Sequence, residues 1–121
     1  MVIFYLSKER AALRGYDAEI PFTVLINPVI EFLTDEIESS WEGCFSLPGM
    51  MGYVPRCKAI RYRGFTPEGH EIDRQAEGYY ARVVQHECDH LDGILYPMRM
   101  SDMSQFGFVD EIRGAMVQSK G

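Results

Sequence analysis

The stretch Glu77-Gly78-Tyr79-Tyr80-Ala81-Arg82-Val83-Val84-Gln85-His86-Glu87-Cys88-Asp89-His90-Leu91-Asp92-Gly93 decides the reading of this chain. Tyr79, Val83, His86 and His90 recur at steps of four, three and four, which places them on one face of a helix over residues 77–92. Gly93 stands where a left-handed glycine ends a helix. Two imidazoles at i and i+4 project one turn apart from the same side. Both ring nitrogens can then reach one metal ion, and the Glu beside the first His can touch a metal-bound water. The chain has three histidines, and two of them are here. With this composition a chance His-Glu-x-x-His is expected on the order of 0.007 times. Two unrelated core or surface histidines are therefore the poorer reading.

Working outward, residues 2–6 read as a strand, and residues 22–27, β-branched and apolar, as a buried strand ended by Pro28. Residues 47–53 contain Pro48, Gly49 and Gly52 and read as a shaped loop. From Val54 to Gly64 the pattern alternates, with Arg56 and Lys58 opposite Cys57 and Ala59, then Arg61 and Arg63 opposite Ile60 and Tyr62. That predicts one half-exposed strand, with Lys58, Arg61 and Arg63 on a solvated face. Residues 66–70 form a hairpin turn, with His70 a turn residue, leading to a strand near 71–74. Val109, Ile112 and Met116 give the tail a weak helical pattern.

With 121 residues, 46% apolar and 25% charged, the chain is read as a single domain over residues 1–121 with a core of its own. Its net charge of −6 argues against nucleic acid or an anionic membrane as partner. No apolar run reaches the length of a membrane span. The one at residues 2–6 is followed at once by Ser7-Lys8-Glu9-Arg10, unlike a signal peptide. Three cysteines, an odd and small number, point to a reduced, cytoplasmic setting rather than a disulfide framework.

A tetrahedral catalytic site needs a third protein ligand and one open position. Downstream, Asp92, Asp102, Asp110 and Glu111 are available, as in a zincin-type peptidase. Upstream, Glu42-Gly43-Cys44-Phe45-Ser46 offers a softer and stronger thiolate ligand, next to a glycine that permits close backbone approach.

Two stretches carry a family resemblance. Glu42-Gly43-Cys44-Phe45-Ser46-Leu47-Pro48-Gly49, with Val54 and Arg56 beyond, and Gln85-His86-Glu87-Cys88-Asp89-His90-Leu91-Asp92-Gly93 resemble the second and third signature motifs of peptide deformylases, and Ile26-Asn27-Pro28 fits ahead of them. The resemblance implies an α+β fold with small antiparallel sheets packed around a central helix that carries His86 and His90. It implies that Cys44, His86 and His90 bind one divalent ion, Fe²⁺ in the native state, with Zn²⁺ or Ni²⁺ as substitutes. It further implies hydrolysis of the formyl group from N-formylmethionyl peptides by metal-bound hydroxide, with Glu87 as general acid and base. The backbone N–H of Phe45, where Leu is more usual, would bind the oxyanion. Glu42 and Arg56 would form an ion pair bracing the cysteine loop, and Gln85 and Asp89 would orient the site. Cys88 and Cys57 are read as packing residues. Met50 and Met51 lie where a methionine pocket would be; Tyr79, Tyr80 and Val83 suit either that pocket or the core.

The resemblance also implies a Gly-rich first motif ending in glutamine ahead of the strand at Val2, and the sequence given contains none; Gln75, Gln85, Gln105 and Gln118 all lie too late. Loss of one oxyanion donor costs about 10²–10³ in turnover in a protease case, so impaired turnover and bare apolar surface are expected. A fragment, a shortened protein and a wall supplied by another chain are the three explanations. Some family members dock at the ribosome through a basic C-terminal helix. Here residues 94–121 offer only Arg99, Arg113 and Lys120 against Asp102, Asp110 and Glu111, so that route is not expected. The alternatives to an amide hydrolase are a non-catalytic metal-binding protein and a zincin-type peptidase.

Overall fold

In chain order the elements are β1 (Val2–Leu6), α1 (Lys8–Leu13), β2 (Ile20–Phe32), β3 (Ile37–Glu42), β4 (Met50–Cys57), β5 (Ala59–Phe65), β6 (Glu71–Glu77), α2 (Gly78–Leu91), a 3-10 turn (Tyr96–Arg99) and β7 (Phe106–Phe108). The structure is a computed structural model, and it describes residues 1–13, 19–44, 47–101, 103 and 106–109. Two compact units are present: residues 1–38 with 56–93, and residues 39–55 with 94–121.

The first unit holds a four-stranded sheet in the order β1-β2-β5-β6, antiparallel throughout. Alternation in β1 buries Val2, Phe4 and Leu6 and turns Ile3 and Tyr5 outward. The buried face joins Leu25, Ile60, Tyr62 and Ile72, and α2 lays Ala81, Val84 and Cys88 into the same core. Phe4 meets Tyr62 edge to face, with centroids 5.7 Å apart, an arrangement favoured by the ring quadrupoles. On the outer face Ile3, Tyr5 and Phe22 are exposed.

Helix α2 spans the residues that the histidine spacing marks. Its start is a backbone event: Gly78 has φ +58° and donates its N–H to the Lys58 carbonyl, turning the chain out of β6. Its end is Gly93, at φ +71°, whose N–H reaches the His90 carbonyl. Cys57 and Cys88 are buried, as packing residues should be, and His70 sits in the exposed turn with its N–H on Thr66 Oγ1.

Three local expectations are corrected. Pro28 does not end its strand: β2 runs to Phe32 because the register against β5 shifts between Ile26 and Val29. Asn27, at φ +53°, and Pro28 occupy that irregularity, where a residue lacking an N–H costs no ladder bond. Gly64 faces it, and a Cβ there would sit 2.6 Å from Leu25 Cδ1 and 2.9 Å from the Ile26 carbonyl. Residues 54–64 are two strands rather than one, broken at Lys58, whose N–H turns to the Glu36 carbonyl. The loop over residues 47–53 is shorter than expected: a turn at Leu47–Gly49 leads directly into β4 at Met50.

The second unit holds the sheet order β3-β4-β7. Met50, Met51 and Gly52 pair with Phe108, Gly107 and Phe106, and Trp41 packs against Tyr53 at 5.2 Å. Tyr96 stands over Gly52, where a Cβ would lie 3.1 Å from its Cε2 and 2.6 Å from Met100 Sδ. The helical pattern of Ile112 and Met116 lies outside the described residues. Among the described residues no helix is long and apolar enough to cross a membrane.

Candidate metal centre

The helical side of the candidate site belongs to the first unit. His86 is buried and His90 half-buried on α2, and their rings stand 4.9 Å apart at an interplanar angle of 69°. This is the proximity that i, i+4 spacing dictates on a helix. Glu87 reaches back over the next turn, with a carboxylate oxygen 3.7 Å from His90 Nδ1. It remains about one third exposed, so a proton held there has access to solvent.

Two polar contacts tie this helix to the end of β4. Arg56, buried, donates from Nη1 to Asp89 Oδ2 at 2.5 Å. That partner is one the sequence did not reveal, because the two residues are 33 positions apart. The Gln85 side chain behaves like a strand neighbour: Oε1 accepts from the Cys57 N–H at 3.1 Å, and Nε2 donates to the Cys57 carbonyl at 2.8 Å. Nε2 also donates to the Ala81 carbonyl one turn back, at 3.1 Å. Gln85 and Asp89 immediately precede the two histidines, so the turn of α2 that bears the imidazoles is tied to Arg56 and Cys57 within the first unit. Arg82, also buried, donates to the Glu38 carbonyl.

Cys88, between the histidines in sequence, faces the core. Burial chiefly, helped by the carboxylates of Asp89, Glu87 and Asp92, pushes its thiol up to about 12. It remains a thiol at neutral pH and serves as packing.

The cysteine loop belongs to the second unit. Glu42 ends β3 and is buried, and Cys44 follows two residues later as a partly exposed cysteine outside any disulfide. A Cβ on Gly43 would touch the Met50 carbonyl at 3.4 Å, so the chain passes close to the start of β4 just before the cysteine. The loop closes as a turn, with the Leu47 N–H on the Cys44 carbonyl and the Met50 N–H on the Leu47 carbonyl. Phe45 and its backbone N–H lie outside the described residues. Tyr96 was missed by sequence reading. It is 1% exposed and shares this unit with Glu42 and Cys44; its only signal in sequence is an aromatic residue inside the short apolar run that follows Gly93.

Comparison with known proteins adds an independent observation. The family model described as polypeptide deformylase matches residues 1–106. The chain is 62% identical over 91 residues to peptide deformylase 2 of Ralstonia nicotianae, covering 75% of this chain and 51% of that protein. It is 59% identical over 97 residues to peptide deformylase 1 of Nitrosomonas europaea, covering 79% and 55%. The chain thus spans about half the length of the curated relatives it matches. Among solved structures, a Met-Ala-Ser-bound class I type b peptide deformylase from Acinetobacter baumannii superposes with a TM-score of 0.64 at 36% identity. That match covers 69% of this chain and 54% of the other.

Proposed function

This chain belongs to the polypeptide deformylase family, and from that premise we propose that it removes the formyl group from the N-terminal formylmethionine of nascent polypeptides. The observation that carries the reading is the His86–His90 pair on α2, with Glu87 beside it, inside a segment that matches the family along most of its length. The A. baumannii relative bound to Met-Ala-Ser supports a peptide with N-terminal methionine as the product. Residues 1–121 act as one catalytic domain in the cytoplasm, a setting that suits a small, odd number of cysteines.

Cys44, His86 and His90 offer one sulfur and two imidazole nitrogens as ligand atoms, a borderline-soft donor set that suits Fe²⁺, Zn²⁺ or Ni²⁺. Fe²⁺ is the ion we assign. Such an ion supplies a Lewis acid that makes water ionise near neutrality and polarises a carbonyl oxygen. Glu87 takes the proton of the attacking water and returns it to the leaving amine. Its partly exposed carboxylate suits that exchange. The Phe45 backbone N–H binds the developing oxyanion, a contribution worth about 10²–10³ in turnover for donors of this kind. Glu42 pairs with Arg56 to brace the cysteine loop. Gln85 and Asp89 hold the ring-bearing turn of α2 through their bonds to Cys57 and Arg56, and Met50 and Met51 line the methionine pocket.

The test is release of formate from formyl-Met-Ala-Ser by the Fe²⁺-loaded chain under anaerobic conditions. Glu87→Ala should lower turnover by about 10²–10⁴, the usual range for losing a general acid–base group, with its metal content unchanged. Release no greater than from Glu87→Ala contradicts the proposal.

A further inference from the structure

We infer that β1 is an association edge, at which two copies of this chain pair antiparallel about a two-fold axis through Phe4. This pairing is independent of the metal assignment and goes beyond the proposed activity. In the first unit's sheet order β1-β2-β5-β6, the two outer strands are unlike. Strand β6 carries Glu71, Asp73, Arg74 and Glu77 within seven residues, the kind of charge by which natural sheets discourage pairing at an edge. Strand β1, Val2-Ile3-Phe4-Tyr5-Leu6, carries neither charge nor proline. Among the described residues it pairs with β2 alone. Its register against β2 shifts between Phe4 and Leu6, two steps on β1 matching three on β2 from Thr23 to Ile20. The extra residue therefore belongs to β2, and β1 itself runs without a bulge. A strand of apolar, β-branched and aromatic residues with one side of its ladder open is a template for another strand.

The pattern of β1 selects its own copy as the occupant. Antiparallel pairing centred on Phe4 sets Phe4 opposite Phe4 of the second copy, Val2 opposite Leu6, and Ile3 opposite Tyr5. Each pair joins positions of like face. Val2, Phe4 and Leu6 are buried on the core side of both copies, and Ile3 and Tyr5, 49% and 60% exposed, lie on the outer side. A slip of one residue would set buried positions against exposed ones, and any larger slip shortens the overlap. Both outer pairs match a β-branched with an aromatic side chain, a favoured combination across strands. Tyr5 already packs against Phe22 of β2, with centroids 6.2 Å apart, so Ile3 of the second copy extends an apolar stripe from Phe22 through Tyr5. No charged side chain falls within the pairs. An interface of one strand edge belongs to the small size class, so the association is reversible and depends on concentration.

The test is sedimentation of the reduced chain over a dilution series, with hydrogen exchange of the β1 amides followed alongside. Mass should rise with concentration toward twice that of the monomer and no further. The outward amides of residues 2–6 should exchange roughly tenfold more slowly when about 90% of the chain is paired, since only the monomer leaves them open. Ile3→Lys with Tyr5→Lys changes exposed side chains only and sets like charges across the edge, so this variant should stay monomeric with its circular dichroism intact. Ile3→Glu with Tyr5→Glu should do the same, and an equimolar mixture of the two variants should pair again. A wild-type chain that is monomeric at every concentration overturns the inference. A dimer that leaves exchange at β1 unslowed, or that survives Ile3→Lys with Tyr5→Lys, overturns it by placing the contact elsewhere. Growth beyond the dimer, or a variant mixture that does not pair, overturns the two-fold register.

Discussion

At the residue scale the three cysteines separate by environment. Cys44 is partly exposed, whereas Cys57 and Cys88 are buried. In the metal-free chain one thiol should therefore react with a maleimide at least tenfold faster than the others, and peptide mapping should identify it as Cys44; equal labelling of all three contradicts the packing described. Cys88 also gives a signed pH dependence. Its thiol ionises near 9 when unperturbed and is pushed up to about 12 in the folded chain. The folded state therefore binds the proton more tightly, so this contribution to stability is complete below pH 9 and is lost as pH rises toward 12. Urea midpoints for wild type and Cys88→Ala should converge across that window, and a constant gap between them contradicts the assignment.

Within the first unit, helix α2 and the Arg56–Cys57 end of β4 meet at the junction that positions the imidazoles. Asp89→Ala removes a charged acceptor from the buried Arg56, at about 1.5–3 kcal/mol for a hydrogen bond to a charged group, so it should lower the urea midpoint. Asp89→Asn, which keeps an acceptor for Arg56, should lose less than Asp89→Ala. If Asp89→Asn is as unstable as Asp89→Ala, the bond to Arg56 is not what holds this junction. Gln85→Leu leaves the Cys57 N–H and carbonyl without that partner, at about 1–3 kcal/mol for each group. The same junction shows what sequence can and cannot carry. The helix was legible because His86, His90 and Gly93 signal it locally. The continuation of β2 through Pro28 was not, because it depends on Gly64 lying opposite, 36 positions away. Likewise Lys58 splits one apparent strand into two through a bond to Glu36 that no periodicity reveals.

For the whole molecule, the pairing of the His86 and His90 imidazoles on α2 was readable from His-Glu-x-x-His alone, since i, i+4 spacing is a property of the helix itself. The sulfur ligand proposed alongside them was not: Cys44 is 42 positions from His86, carboxylates competed for the role, and the family motif singles it out. The burial of Tyr96 was illegible too, since it depends on Phe106 and Gly52 in the folded unit. Binding to the folded state alone stabilises it by about 2.7 kcal/mol at a ligand concentration one hundred times Kd. Added Zn²⁺ should thus raise the melting temperature of the reduced chain, a chelator should reverse the rise, and Cys44→Ala should abolish it; a rise that survives Cys44→Ala contradicts the ligand set. The most direct measurement is X-ray absorption on the reduced, zinc-loaded chain. One sulfur at about 2.3 Å and two imidazole nitrogens at about 2.0–2.1 Å are predicted; an empty site, or a first shell without sulfur, would contradict the account.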